Sequence, residues 1–239
     1  MSDPIIIVGA TGAIGSALAR RLAAAGQALH LIARDDAALA PLAGSLGAAH
    51  AVADVLDDAA LQAAVTAAGA RVAGLAYCVG SIVMKPLKRA SVADFAEAYA
   101  LNVIGAARAV AAAEGGLRAA EGAVVLFSSV AAQVGFANHT VIGAAKAGVE
   151  GLALALAAEL APVRVNCIAP SLTRSKIAAS MTDNPAIAKA IAAQHPIPRL
   201  GEPDDSAALA AFLLSGQAGW MTGQVIGVDG GRARVRSKG

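Results

Sequence analysis

Short runs of Ile, Val and Leu alternate along this chain with longer alanine-rich stretches of helical period, and that alternation leaves few folds open. A strand that is apolar at every position has no face to give to water, so it must lie inside a sheet covered on both sides. Consecutive parallel strands in such a sheet need crossovers long enough for a helix. The reading is therefore α/β: a single-domain, Rossmann-type, doubly wound parallel sheet of about seven strands with helices on both faces. Strands are expected at Ile5–Gly9, Ala28–Ala33, Ala49–Val52, Ala73–Val79, Ala123–Ser128, Val163–Ala169 and Val225–Val228. Helices are expected near Ala13–Ala25, Asp36–Leu46, Asp57–Ala68, Ser91–Ala113, Thr140–Leu160 and Pro203–Ser215. Ser91 with Asp94 has the spacing of a capping box.

The 239 residues suit one core. One domain is expected over residues 1–231, followed by a basic tail, 232–239, whose Arg232, Arg234, Arg236 and Lys238 read as a frayed, solvated end. Basic and acidic residues are otherwise scattered and the net charge is +2, so neither nucleic acid nor a membrane surface is an expected partner. The longest uncharged stretch, Gly122 to Ala145, holds Ser128, Ser129, Gln133, Asn138 and His139, and reads as a strand, a loop and a helix start. Cys78 and Cys167 are too few for a disulfide framework and not at metal-ligand spacing. They read as reduced thiols of a cytoplasmic protein without a metal site. Between Ser171 and Pro198 the alternation lapses into a long connection with three prolines and a short helical piece near Ala186–Ala193. It leaves the carboxyl end of a strand, where open α/β sheets bind ligands, and reads as a substrate lid.

The first strand runs directly into Gly9-Ala10-Thr11-Gly12-Ala13-Ile14-Gly15 and a helix. Glycines there allow a tight turn and close backbone approach to a pyrophosphate, while the helix start supplies amide donors. Arg34 directly follows the second strand, with no acidic residue there to accept from a ribose hydroxyl. A guanidinium suits a 2′-phosphate, so NADP is expected over NAD. Asp54 and Val55 stand where an adenine edge would be read, with a helix N-cap at Asp54 or Asp57 as the alternative.

Several further motifs occur in one order: Gly80 after the fourth strand, Leu101-Asn102-Val103, Phe127-Ser128-Ser129, Ala144-Ala145-Lys146-Ala147-Gly148, Arg164-Val165-Asn166-Cys167-Ile168-Ala169-Pro170, Arg199 to Asp205, and Met221-Thr222-Gly223-Gln224 through Gly231. With the glycine turn, they make the chain resemble the short-chain dehydrogenase/reductases over essentially its whole length, most of all the 3-oxoacyl-carrier-protein reductase branch. The resemblance implies catalytic roles for Ser129, which would polarise a carbonyl, Lys146, which would bind the nicotinamide ribose, and Asn102, which would hold a water in the proton path. It implies a cofactor site of Gly9, Thr11, Gly12, Ile14, Gly15, Arg34, Asp54, Val55, Gly80, Lys146, Pro170 and Thr173. A small-molecule carbonyl or alcohol substrate and a homo-oligomer, usually a tetramer built on the long helices and the last strand, follow from it too.

The family's proton-donating tyrosine stands four residues before its lysine. Here that residue is Ile142, which can neither donate nor accept a proton. The two tyrosines, Tyr77 and Tyr99, fall on the fourth strand and the long helix, and none lies between Ser129 and Lys146. His139, near the start of the same helix, is a candidate substitute acid, with a partly solvated loop residue as the alternative reading. Tyr99 is expected to serve packing. Two functions are therefore expected: an atypical NADP(H)-dependent oxidoreductase, or a catalytically inactive NADP(H)-binding sensor or regulatory subunit on the same fold.

Overall fold

The computed structural model describes residues 3–236. Its seven strands form one sheet in the order β3-β2-β1-β4-β5-β6-β7, every neighbouring pair parallel. The strands are β1 (Ile5–Val8), β2 (Leu29–Ala33), β3 (Ala49–Val52), β4 (Gly74–Tyr77), β5 (Ala123–Phe127), β6 (Arg164–Pro170) and β7 (Val225–Val228). The helices are α1 (Ala13–Ala24), α2 (Asp36–Leu46), α3 (Asp58–Thr66), α4 (Val92–Tyr99), α5 (Gly105–Ala120), α6 (Val130–Gln133), α7 (Thr140–Glu159), α8 (Ala179–Thr182), α9 (Pro185–Ala192) and α10 (Pro203–Leu214). The expected class is observed; β1, β4 and β5 end one or two residues sooner than the apolar runs, and β6 ends one residue later.

Alternation within each strand divides the core. Ile6, Val8, Leu75, Tyr77 and Leu126 face a layer of α3, α5 and α7 that brings Leu61, Val110, Leu117 and Val149. Ile5, Ile7, Leu31, Val125 and Ile168 face the opposite layer, where α1, α2 and α10 bring Leu18, Leu39 and Leu213. Helix α7 is long and apolar enough to cross a membrane by length and composition. Its Val141, Ile142, Ala145, Val149, Ala153 and Ala157 are buried within the fold instead.

One expected helix is three pieces. Between α4 and α5 the chain takes a π turn, Ala100–Ile104, and the helix then runs on to Ala120 rather than Ala113. A π turn inserts one residue and upsets the carbonyl ladder. The Tyr77 hydroxyl donates to Leu101 O at 2.7 Å, so the disturbed turn is held from the sheet. Ser91 and Asp94 form the expected reciprocal cap at the start of α4. The connection after β6 carries a 3-10 turn at Lys176–Ala178 as well as α8 and α9, more helix than the one short piece expected.

The tail departs from expectation at its first residue. Arg234 and Arg236 are exposed, whereas Arg232 is half-buried, with its guanidinium 4.6 Å from the centre of the Phe136 ring. Lys238 lies outside the described residues.

Candidate functional site

Strand order reverses beside β1: the chain moves outward through β2 and β3, then returns to β4 on the other side. Carboxyl ends of strands diverge at such a point and leave a crevice. Here a cleft of about 810 Å³ opens, within the range of small-molecule sites. The turn between β1 and α1 forms its floor. Gly9 has φ +83°, and a Cβ at Gly15 would stand 2.3 Å from Gly9 O, so the turn closes only with glycine at both positions. Gly9, Thr11, Gly12 and Ile14 line the cleft, while Gly15 is buried behind them as the contact that lets α1 start there.

Arg34, exposed at the end of β2, lines the same end of the cleft. Asp54 and Val55 line it as well. Of the two N-cap candidates, Asp57 is the one that caps. Asp57 caps α3 by accepting from Ala60 N, whereas Asp54 accepts from Leu56 N and remains on the cleft wall.

At the other end, β4, β5, β6, α7 and the π turn bring Gly80, Asn102, Ser129, Lys146, Pro170 and Thr173 together. Lys146 is 7% exposed and its Nζ donates to Phe127 O at 2.8 Å. Burial pulls its ammonium down to about 8. Asn102, fixed through Nδ2 donating to Ala98 O at 2.8 Å, has Oδ1 buried without a partner among the described residues. A Cβ added at Gly80 would lie 3.1 Å from both Asn102 Oδ1 and Lys146 Nζ. Glycine at 80 thus lets a buried acceptor and a buried donor share one small space. Ser129 caps α6, its Oγ accepting from Ala131 N at 3.2 Å, and faces the cleft.

Ile142 is 4% exposed and lines the cleft one helical turn before Lys146. His139 lines it too, but its Nδ1 lies 2.8 Å from Ala137 O and must donate to that carbonyl. Neutral His139 therefore carries a bare Nε2, and only the imidazolium has a second proton to give. Tyr99 packs over Gly148 on α7 and is not among the cleft residues, as expected for packing. Tyr77 is committed to Leu101 O, and burial pushes its phenol up.

Sequence reasoning missed three features. Ser128 Oγ donates to Glu150 Oε1 at 2.8 Å, and Gln133 Nε2 donates to the same oxygen at 3.1 Å, which braces α6 against α7. Ser171 Oγ and His195 Nε2 meet at 2.8 Å, both buried, and tie the two ends of the lid segment together. Since His195 Nδ1 lies 2.9 Å from Ile191 O and donates there, the serine is the donor when the imidazole is neutral. Arg232 is the third. All three pair residues distant along the chain or depend on side-chain direction, so no local pattern marks them.

The residues fit a dinucleotide: a cradle closed by glycine at one end, and at the other a buried acceptor without a partner beside a buried amine. The family model described as enoyl-(acyl carrier protein) reductase matches residues 9–233. An uncharacterized oxidoreductase of Mycobacterium tuberculosis is 37% identical over 243 residues, covering 95% of this chain and 90% of its own. A Xanthobacter autotrophicus protein named as an inactive 2-(S)-hydroxypropyl-CoM dehydrogenase is 34% identical over 91% of this chain and 100% of its own. Among solved structures, a gluconate 5-dehydrogenase of Burkholderia cenocepacia in complex with NADP and tartrate has a TM-score of 0.92 at 25% identity, over 98% of this chain and 96% of that one.

Proposed function

The chain belongs to the short-chain dehydrogenase/reductase family of oxidoreductases, and we propose that it is an NADP(H)-dependent member interconverting a carbonyl and an alcohol with Ile142 in place of the tyrosine acid. One observation carries this reading. Ser129 and Lys146 line a single cleft with the glycine turn and Arg34, and the buried Asn102 Oδ1 lies directly behind Gly80 on its wall, which supports a site complete but for the acid. The dinucleotide, when bound, supplies the hydride.

Gly9, Gly12 and the start of α1 would hold its pyrophosphate and Arg34 its 2′-phosphate, while Lys146, Pro170 and Thr173 would hold the nicotinamide end. Ser129 Oγ would donate to the carbonyl oxygen and polarise it. The proton must reach that oxygen by another route than a phenol. Asn102 Oδ1, beside Gly80 and Lys146 Nζ, offers an acceptor for a relay through solvent, and His139 as imidazolium offers a donor. Loss of a positioned acid raises a barrier by roughly 3–5 kcal/mol, so slow turnover is expected.

A second reading, an inactive NADP(H)-binding sensor or regulatory subunit, is favoured by the burial of Ile142 in the cleft and by the relative named as inactive. Free thiols at Cys78 and Cys167 suit a reducing, cytoplasmic setting. The exposed Tyr99 and Ile104 on the long helices, with Leu154 on α7, suit assembly as a homotetramer, which light scattering would test.

The deciding experiment measures NADPH binding by titration and NADPH oxidation over a panel of ketones, aldehydes and oxoacyl thioesters. Turnover, however slow, supports the oxidoreductase. Tight binding with no turnover on any member supports the sensor, and failure to bind any dinucleotide overturns both.

A further inference from the structure

The cleft is charged unevenly. Its lining includes four cations, Arg34, Lys146, Lys176 and Arg232, and one carboxylate, Asp54, which lies at the β3 end. Arg34 and Lys146 are accounted for by the dinucleotide. Arg232 is not, because its neighbours belong to the other side of the site: Phe136 from the loop before α7 lies under the guanidinium, and Gln194 from the end of the lid segment accepts from Nη2 at 2.6 Å.

That bond uses one of the five N–H donors of a guanidinium. Among the described residues Arg232 forms no ion pair; Asp229, the acidic residue nearest it in sequence, accepts from Gly231 N at 2.9 Å and Ala233 N at 2.8 Å and acts on Arg232 only from a distance. Placement is firm on the backbone side too. Ile197 N donates to Gly230 O at 3.0 Å, and Arg232 N donates to Asp229 O, so the turn carrying Arg232 is bonded to the end of the lid. A planar cation held over an aromatic ring, with spare donors at a cleft wall, is preorganised for a planar anion. Around it the lid supplies carbon: Leu172, Ile177, Met181 and Ile191 line the same cleft.

We infer that Arg232 anchors the carboxylate of the substrate, and that the substrate class is an organic acid with an apolar chain carrying the carbonyl or alcohol. This rests on the oxidoreductase reading for the words carbonyl and alcohol, but the carboxylate subsite stands on Arg232, Phe136 and Gln194 alone. Arg232 is thus a specificity-determining residue, remote in sequence from every motif used in the chemistry.

The test is calorimetric titration of the NADP(H)-loaded protein with hexanoate and with its neutral isostere hexanamide, repeated on Arg232→Met and Arg232→Lys. In parallel, NADPH oxidation is followed with laevulinate and with methyl laevulinate. The natural protein should bind hexanoate about 10–100-fold more tightly than hexanamide, the range of one charge-assisted paired contact. Arg232→Met should abolish the preference while NADPH still binds, and Arg232→Lys, which keeps the charge but loses the fork, should fall between. No preference in the natural protein, or one that survives Arg232→Met, overturns the inference. Should Arg232→Met not fold, the natural protein and Arg232→Lys still decide it. A carboxylate preference without NADPH oxidation on laevulinate or on any ketone, aldehyde or oxoacyl thioester of the panel would uphold the subsite and sink the oxidoreductase reading. Reduction of ester and acid at equal rates, with NADPH oxidised in both, would do the reverse.

Discussion

Replacing Ile142 by tyrosine tests whether the site is assembled and lacks only its acid. Ile142 is 4% exposed, lines the cleft, and stands on α7 one turn before Lys146. A phenol there would sit near an ammonium that is itself buried, and a neighbouring cation draws a phenol down from its ordinary value toward neutrality. A positioned acid of that kind is worth about 10²–10⁴ in rate, or roughly 3–5 kcal/mol of barrier. The added ring must be accommodated. With a cleft of about 810 Å³ on one side, the overpacking cost should stay near the low end of about 1–3 kcal/mol, which for this size of chain is a few degrees of Tm. Stopped-flow and steady-state NADPH oxidation by the natural protein, Ile142→Tyr and Ile142→Phe would separate bulk from proton donation. Tyrosine should exceed both others by at least about 100-fold in kcat with NADPH affinity unchanged. Equal rates for tyrosine and phenylalanine would refute the reasoning, because the hydroxyl would then have no access to the reacting oxygen.

Four other outcomes are expected. Gly15→Ala places a Cβ 2.3 Å from Gly9 O, so the turn must open, and NADPH binding should weaken by about 10-fold or more in a fluorescence titration. Arg34→Asp should move the NADPH-to-NADH affinity ratio toward NADH by about 10–100-fold, the worth of a charge-assisted contact, and an unchanged ratio would remove Arg34 from the phosphate site. Tyr77→Phe removes the hydroxyl's bond to Leu101 O under the π turn and should cost about 1 kcal/mol, read as a Tm lower by roughly 2–4 °C in a thermal scan. Lys146 is lowered to about 8 from 10.5, so between those pH values the unfolded chain holds a proton that the folded one has released, and stability rises with pH there. Urea unfolding of the natural protein should gain about 3 kcal/mol across that window relative to Lys146→Met, and a flat difference would show that the amine is not desolvated.

How far the site was legible follows the range of the forces that build it. The glycine turn, the Ser91 cap and the Asp57 cap are local, because each depends on backbone groups within a few residues, and all three stand where the chain itself places them. The apolar runs gave the sheet its class for a similar reason: a strand without a polar face must be covered twice. Asn102 was recognised by its neighbours, yet the π turn that carries it was not, since the inserted residue is stabilised by Tyr77 from another strand. Arg232 misled for the opposite cause. A basic run at a chain end reads as solvated, and only the return of the chain past Phe136 and Gln194 gives one of those arginines a wall to lie on.

By itself, then, the sequence determined the parallel sheet, the glycine turn between β1 and α1, and the presence of Ser129, Lys146 and Asn102 with Ile142 four residues before Lys146. Tertiary structure alone decided that Ile142 faces the cleft, that His139 spends its Nδ1 proton on Ala137 O, that Ser171 is bonded to His195, and that Arg232 closes the lid side. The division is physical: periodicity and capping act within a turn or two of chain, whereas the direction of a side chain into a shared cavity is set by whatever packs against it from elsewhere.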